Sequence, residues 1–313
     1  MKSKGSVSSM AIKNNLLIRK QKKITNYGYM KLMLAPFLIL FILFTVIPIF
    51  ASMVLSFFEY DVIGRIKFIG FDNYKFLLLN DEVFPVALKN TLIFAVITGP
   101  IGFALSFVLA WFINEFGPKT RSALSFLFYS PALMGNAYFI WQVLFSGDSY
   151  GYINSFLLSL NVITEPIQWL KSPSYSLTIV IIVQLWMSMG VSFLANIAGL
   201  QNVNPELYEA GAIDGIKNRW YELWYITLPY MKNILLFSAV MQISSAFSVG
   251  QLCITLTGHP SVNYSTETIV THLIDMGTIR FEMGVASAIS VLLFILMISS
   301  RLIIGKLINS IGK

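Results

Sequence analysis

The sequence predicts an all-α integral membrane protein with six transmembrane helices and a cytoplasmic helical unit between the fourth and fifth. Three observations carry this. Hydrophobic residues make up 56% of the chain and charged residues 12%, where soluble domains have about 25% charged, and the mean hydropathy is +0.71. Six apolar stretches are each long enough to cross about 30 Å of hydrocarbon, which takes roughly 20 helical residues. Basic residues also segregate to alternate loops, as cytoplasmic loops require.

Residues 1–31 contain Lys2, Lys4, Lys13, Arg19, Lys20, Lys22, Lys23 and Lys31 and no acidic residue, which predicts a basic N-terminal tail. The apolar run that follows, 32–58, is too long for a signal-peptide core and has no evident small-residue cleavage site. It is expected to be a retained first span, kinked at Pro36 and Pro48. The other spans are expected at 92–113, 122–145, 176–200, 233–256 and 284–304. The organisation is then a tail, 1–31, and a six-span domain, 32–313, with both termini on one side.

Charge sets the orientation. With the N-terminus inside, sixteen of the 22 Lys and Arg residues fall in inner segments; the outer ones hold Arg65, Lys67, Lys75, Lys89, Lys171 and Arg280. Both termini and residues 204–232 are therefore expected in the cytoplasm, and the net charge of +7 reflects topology, not a nucleic-acid surface. Cys253 is the single cysteine, so no intrachain disulfide can form. His259 and His272 lack ligand-spaced neighbours, and neither a phosphate-cradling G-x-x-x-x-G-K-[ST] loop nor a nucleophile elbow occurs. No metal site, cofactor or catalytic residue is assigned, and the chain is not expected to be an enzyme.

Residues 204–232, NPELYEAGAIDGIKNRWYELWYITLPYMK, are a polar island between two of the most apolar runs. Asn204 suits a helix cap, Pro205 the first helical position and Glu206 the first turn. Leu207, Ala210 and Gly211 share a face. Gly215 suits the left-handed residue that ends a helix, and Trp220, Leu223, Trp224, Thr227 and Leu228 then recur at helical spacing until Pro229. A bent amphipathic helix pair is expected, with a small-residue face (Ala210, Gly211, Ala212, Gly215) beside the carboxylates of Glu209 and Asp214.

Glu209-Ala210-Gly211, Asp214-Gly215 and Ile226-Thr227-Leu228-Pro229 resemble the EAA motif of permease subunits in binding-protein-dependent ABC importers. Gly211 and Ile216 stand where that family more often has Ala, and Lys232-Asn233 where a second Pro is frequent. The resemblance implies an ATPase-coupling helix that docks on a separate cytoplasmic ATPase. Glu209 would meet a basic group there, Ala210 and Gly211 would permit close seating, and Asp214-Gly215 would fix the bend. Further matches are to the sugar-type branch: Gly70-Phe71-Asp72-Asn73-Tyr74, Asn90-Thr91, Pro131, Trp141, Gly151-Tyr152-Ile153-Asn154, Trp169-Leu170 and Leu256-Thr257-Gly258. Where many relatives have Gly-Gly-Pro, this chain has Gly258-His259-Pro260. These likenesses imply one of two permease subunits that carry a carbohydrate, most simply an oligosaccharide, across the cell membrane. Its partners would be a second permease chain, two ATP-binding subunits and an extracytoplasmic solute-binding protein.

The expected spans contain no Asp, Glu, Lys or His, and Arg301 lies near enough to a span end to snorkel. That argues against an ion-coupled carrier, which needs an ion site in the membrane. It also argues, less strongly, against an anionic solute such as glycerol phosphate. The fifth span carries Ser238, Gln242, Ser244, Ser245, Ser248 and Gln251 among Phe237 and Phe247. Hydroxyls and amides beside aromatic faces suit a sugar, so Gln242, Ser245, Phe247, Ser248 and Gln251 are candidates for the substrate path. Polar contact between helices explains them equally well. His259 is either a contact at the mouth of that path or a solvated loop histidine.

Overall fold

The computed structural model describes residues 29, 31–64, 66–135 and 137–309; the basic cluster of residues 2–23, Arg65 and Lys313 lie outside them. Of the described residues, 74% are helical. The chain divides into two compact units, Met1–Val54 and Leu55–Lys313. Among the described residues four helices are long and apolar enough to cross a membrane, or five if one bent pair counts as a single span.

Among the described residues the first unit is essentially helix α1 (Lys31–Leu55). It runs through both prolines as one helix, with a π-turn at Ile42–Val46 immediately before the turn that holds Pro48. A wider turn is a common way for a helix to absorb a missing N–H, so the expected kinks become a local change of pitch.

The second unit is built on α2 (Val83–Asn114), α3 (Pro118–Leu133), α4 (Ser176–Gln201) and α5 (Pro205–Ile213). It continues with α6 (Arg219–Tyr230), α7 (Lys232–Phe247), α8 (Gly250–Thr257), α9 (Ile269–Ile279) and α10 (Met283–Asn309). A two-stranded antiparallel ladder, Phe58–Glu59 with Lys67–Phe68, precedes α2. Three expected spans are not continuous helices: the run 176–200 opens at Ser188–Gly190, between the segments Ser176–Met187 and Val191–Gln201 of α4. The run 122–145 breaks after Leu133, where Met134 turns extended (φ −86°, ψ 93°), and resumes as the short helix Phe139–Leu144. Pro131 removes one helical N–H there and Gly135 follows the break. The run 233–256 likewise breaks at Ser248 and Val249, between α7 and α8. Hydropathy registers none of these interruptions, because the runs that contain them are apolar overall.

α7 lies against α2, α4 and α10, and α2 against α4. Lipid tails are as apolar as leucine, so close approach and polar ties must hold such helices together, each hydrogen bond contributing about 0.6 kcal/mol. Small residues provide the approach: Gly102 faces Gln242 and Ser188, and Gly199 faces Met231 and Ile234. The ties run across the same seams. Ser192 Oγ donates to Gln242 Oε1 (3.0 Å), and Asn196 Nδ2 to Ser106 Oγ (3.4 Å).

Three asparagines organise the loops at the opposite end of α4 from α5. Asn90 Nδ2 donates to the carbonyls of Tyr264, Ser265 and Glu267. Asn73 Nδ2 donates to those of Ser56 and Phe58. Asn154 donates to Ser146, Asp148 and Ile167 carbonyls while its Oδ1 accepts from Trp169 Nε1 (2.8 Å). Each buried amide satisfies carbonyls that a loop would otherwise leave without partners. Asp81 does similar service, accepting from the N–H groups of Val83 and Phe84 and meeting His272 Nε2 at 2.8 Å.

Candidate functional site

The 204–232 unit is preformed by its own sequence. Asn204 Oδ1 accepts from Glu206 N–H (3.2 Å), Pro205 occupies the first helical position, and α5 follows. At the other end Gly215 takes φ +91°, a conformation that costs a side chain about 1 kcal/mol or more. Its N–H reaches Ala212 O (3.2 Å) and Ile216 N–H reaches Gly211 O (2.8 Å), the paired bonds of a Schellman stop. Asn218 Oδ1 then caps α6 by accepting from Trp220 N–H (3.0 Å).

α6 departs from expectation at its end. It contains a π-turn, Leu223–Thr227, and passes through Pro229 to Tyr230, then breaks at Met231 with a bend of 82° into α7. Pro229 sits in the first turn of the segment Leu228–Tyr230, where its missing N–H does no harm.

The two short helices are fastened to each other and to α2. Tyr208 Oη and Thr227 Oγ1 are 2.9 Å apart. A Cβ on Gly211 would lie 2.7 Å from Ile226 Cδ1. Gly211 is therefore buried against its own chain, whereas Ala210 beside it is exposed. Arg219 bridges Glu222 (2.7 Å) and Glu115 at the end of α2, and Trp220 meets Trp111 at 5.2 Å. The Glu222 hydrogen bond, with the Glu115 charge behind it, raises the guanidinium pKa further despite partial desolvation. Together these groups enclose a cavity of about 280 Å³.

What the brace leaves outward is a strip of α5: Glu206, Glu209, Ala210, Ala212, Ile213 and Asp214 are all exposed, with Gly215 beside them. Ile213 is 87% exposed, an apolar side chain held into solvent by a capped helix. Sequence reasoning missed it. The signal was its place one turn after Glu209 and Ala210, opposite the face that Tyr208 and Gly211 use.

The expected substrate-path residues separate into two sets. Ser245, Ser248 and Gln251 are exposed along one side of the broken α7–α8 run, with Gln184 Nε2 donating to Ser245 Oγ (3.3 Å). Gln242 and Phe247 are instead 2% and 1% exposed and belong to helix contacts, Gln242 tied to Ser192 and Phe247 in the core. His259 is not a solvated loop residue. Its side chain is 11% exposed and lies between Glu267 (3.3 Å) and Asp275 (3.7 Å), carboxylates that the fold brings back from further along the chain.

No family model matches the chain. Curated relatives do. The probable ABC transporter permease protein YesP of Bacillus subtilis is 31% identical over 300 residues, covering 95% of this chain and 94% of that protein. The arabinooligosaccharides transport system permease protein AraP of the same organism is 31% identical over 88% of this chain and 87% of its own length. The lactose transport system permease protein LacF of Rhizobium radiobacter is 34% identical over 67% and 69%. Among solved structures, a chain from a bacterial ABC transporter involved in the import of the acidic polysaccharide alginate superposes with a TM-score of 0.76 at 25% identity, covering 94% of this chain and all of that one. The same kind of importer in complex with an alginate pentasaccharide-bound periplasmic protein gives a TM-score of 0.74 over 90% of this chain and 94% of that one. The chain belongs to the family of ABC transporter permease subunits, and its named relatives include permeases of sugar and oligosaccharide transport systems.

Proposed function

We propose that this chain is a six-span permease subunit of an ATP-driven importer that carries a carbohydrate, an oligosaccharide by the example of its relatives, across the cytoplasmic membrane. In this reading α3 with Phe139–Leu144 forms the third span and α7 with α8 the fifth. Residues 1–31 are a cytoplasmic tail, residues 32–313 the transmembrane domain, and the C-terminus is cytoplasmic too. A second permease chain completes the pathway. Two ATPase subunits supply the hydrolysis that this chain does not perform, and an extracytoplasmic binding protein delivers the sugar, as a periplasmic protein accompanies the alginate importer.

The observation that carries the reading is the outward strip of α5. A short helix capped at both ends and braced from behind is a rigid object, and rigid objects transmit displacement. Glu209 offers its charge to a basic group on the ATPase, Ala210 permits close seating, and Ile213 fills an apolar cleft. Closure of the ATPase pair moves α5. Tyr208–Thr227 and Gly211–Ile226 pass the motion to α6, and Trp111–Trp220 with Arg219–Glu115 pass it to α2. The spans then rock about the sugar path, opening it to one side at a time. Ser245, Ser248 and Gln251 line that path, and Gln242 and Phe247 hold the wall behind them.

The test is Glu209→Lys in the assembled transporter reconstituted in proteoliposomes. ATP-dependent sugar uptake should fall at least ten-fold while the permease remains membrane-inserted. Wild-type uptake by that variant would remove the role.

A further inference from the structure

At the end of the bundle remote from α5 lies a polar cavity of about 580 Å³, between the 146–171 loop and the end of α8. This is within the range of small-ligand sites, about 300–1,000 Å³. Its lining includes Gln142, Phe145, Asp148, Gln168, Lys171 and Thr257. We propose that this cavity is a reception subsite for one or two residues of a neutral oligosaccharide, and that it discriminates against acidic sugars. The proposal rests on the carbohydrate reading above and adds a location and a charge preference to it.

The argument is a count of donors and acceptors. Gln142 donates its amide N–H to Thr255 O, and Gln168 donates to Gly147 O (2.7 Å). Each side chain is thereby fixed and keeps its amide oxygen as an acceptor and one N–H as a donor. Asp148 Oδ1 accepts from the N–H groups of Tyr150 (3.1 Å) and Gly151 (2.6 Å), which leaves Oδ2 as a third acceptor. Thr257 Oγ1 already donates to Cys253 O and lies 2.6 Å from Thr266 Oγ1. Lys171 is the one cation in the lining, and among the described residues no carboxylate lies within ion-pair distance of it. Three free acceptor oxygens beside two remaining amide N–H groups and one ammonium suit sugar hydroxyls, each of which donates and accepts. A uronate would bring a second carboxylate into a cavity that already holds that of Asp148, and the exposed ammonium of Lys171 is the one full counter-charge for both.

Phe145 supplies the apolar floor that a sugar's C–H face needs. It is held in place, stacked on Trp141 (5.8 Å between centroids, 17° between planes) and edge-on to Trp169 (6.0 Å). These two indoles border the cavity through Phe145, so their emission reports occupancy. The cavity differs from the Ser245–Gln251 strip of the proposed path in lying at the mouth, where a sugar would first meet this chain.

The experiment uses the full chain in nanodiscs, titrated with maltotriose, with arabinotriose and with a trimer of mannuronate, read by tryptophan fluorescence. At least one neutral trimer should bind about ten-fold or more tighter than the uronate. Gln168→Leu should weaken that binding about ten-fold, one hydrogen bond's worth at the strong end. Asp148→Asn keeps the acceptor for Tyr150 and Gly151 but exchanges the free Oδ2 for an N–H, so it should weaken neutral binding a few-fold and strengthen uronate binding several-fold. Equal binding of uronate and neutral trimers by the wild type, no binding of any trimer, or indifference of both ligands to both substitutions would each overturn the subsite. Uptake by cells expressing the complete importer separates the two readings. Sugar uptake with no effect of these substitutions on binding sinks only the subsite, whereas absence of any carbohydrate uptake sinks the importer reading itself.

Discussion

The hydroxyl of Tyr208 on α5 lies 2.9 Å from Oγ1 of Thr227 on α6, nineteen residues later, and Thr227 is 2% exposed. This is the polar fastening between α5, the helix proposed to meet the ATPase, and α6, which bends into α7. Tyr208→Phe should weaken it by about 1 kcal/mol, roughly a five-fold loss in the population of the fastened geometry. In proteoliposomes, sugar carried per ATP hydrolysed should fall two- to five-fold with little change in expression. An unchanged ratio would assign the fastening to folding alone.

Gly211 allows a graded test of the same contact. An alanine there would push only on the terminal methyl of Ile226, a flexible end, and alanine gains about 1 kcal/mol in helix propensity. Gly211→Ala should therefore melt within about 1 kcal/mol of wild type and retain uptake. Gly211→Val, whose branches cannot be accommodated by one methyl shift, should lose most coupled transport, measured as uptake against ATPase rate.

Ile213 should behave in the opposite way to a core residue. At 87% exposed it contributes little to the isolated chain, and Ile213→Asp should shift the permease's own stability by about 0.5 kcal/mol or less. Retention of the ATPase subunits through purification should drop about ten-fold. Full retention would place the docking surface elsewhere.

Asn90 should be costly to remove. Its amide serves three carbonyls in the loop after α8, and Asn90→Ala would leave them without that donor. A loss of about 1–3 kcal/mol is expected, read as a lowered thermal midpoint in detergent, whereas Asn90→Asp should be little better because a carboxylate has no N–H to give.

Legibility in the sequence followed the range of the interaction. Asn204, Pro205 and Gly215 act on neighbours two to five residues away, so cap, first turn and stop could be read directly. Gly211 could not be placed. Its side of the helix is decided by Ile226, and small residues suit an inward and an outward contact equally. The breaks at Met134 and at Ser248–Val249 were invisible for another reason: once backbone bonds are satisfied by packing, an apolar sequence carries little record of where a helix stops. Asn73, Asn90 and Asn154 were noticed as motif members, but the carbonyls they gather lie up to 177 residues away. Only the solvated alternative for His259 fails, because Glu267 and Asp275 approach it through the fold and not through the sequence.

Helix α2 has 32 residues, about 48 Å of rod at 1.5 Å per residue, against some 30 Å of hydrocarbon. It must therefore protrude. At one extremity Trp111 and Glu115 grip α6; near the other, Asn90 and Thr91 hold the strand of loop that leads into α9. A small tilt imposed on such a strut at its base appears at its tip with the same angle and opposite direction, softened only at Pro100. In the proposed importer such a strut carries a displacement from one face of the bilayer to the other as a single lever, without any relay of side chains across the lipid.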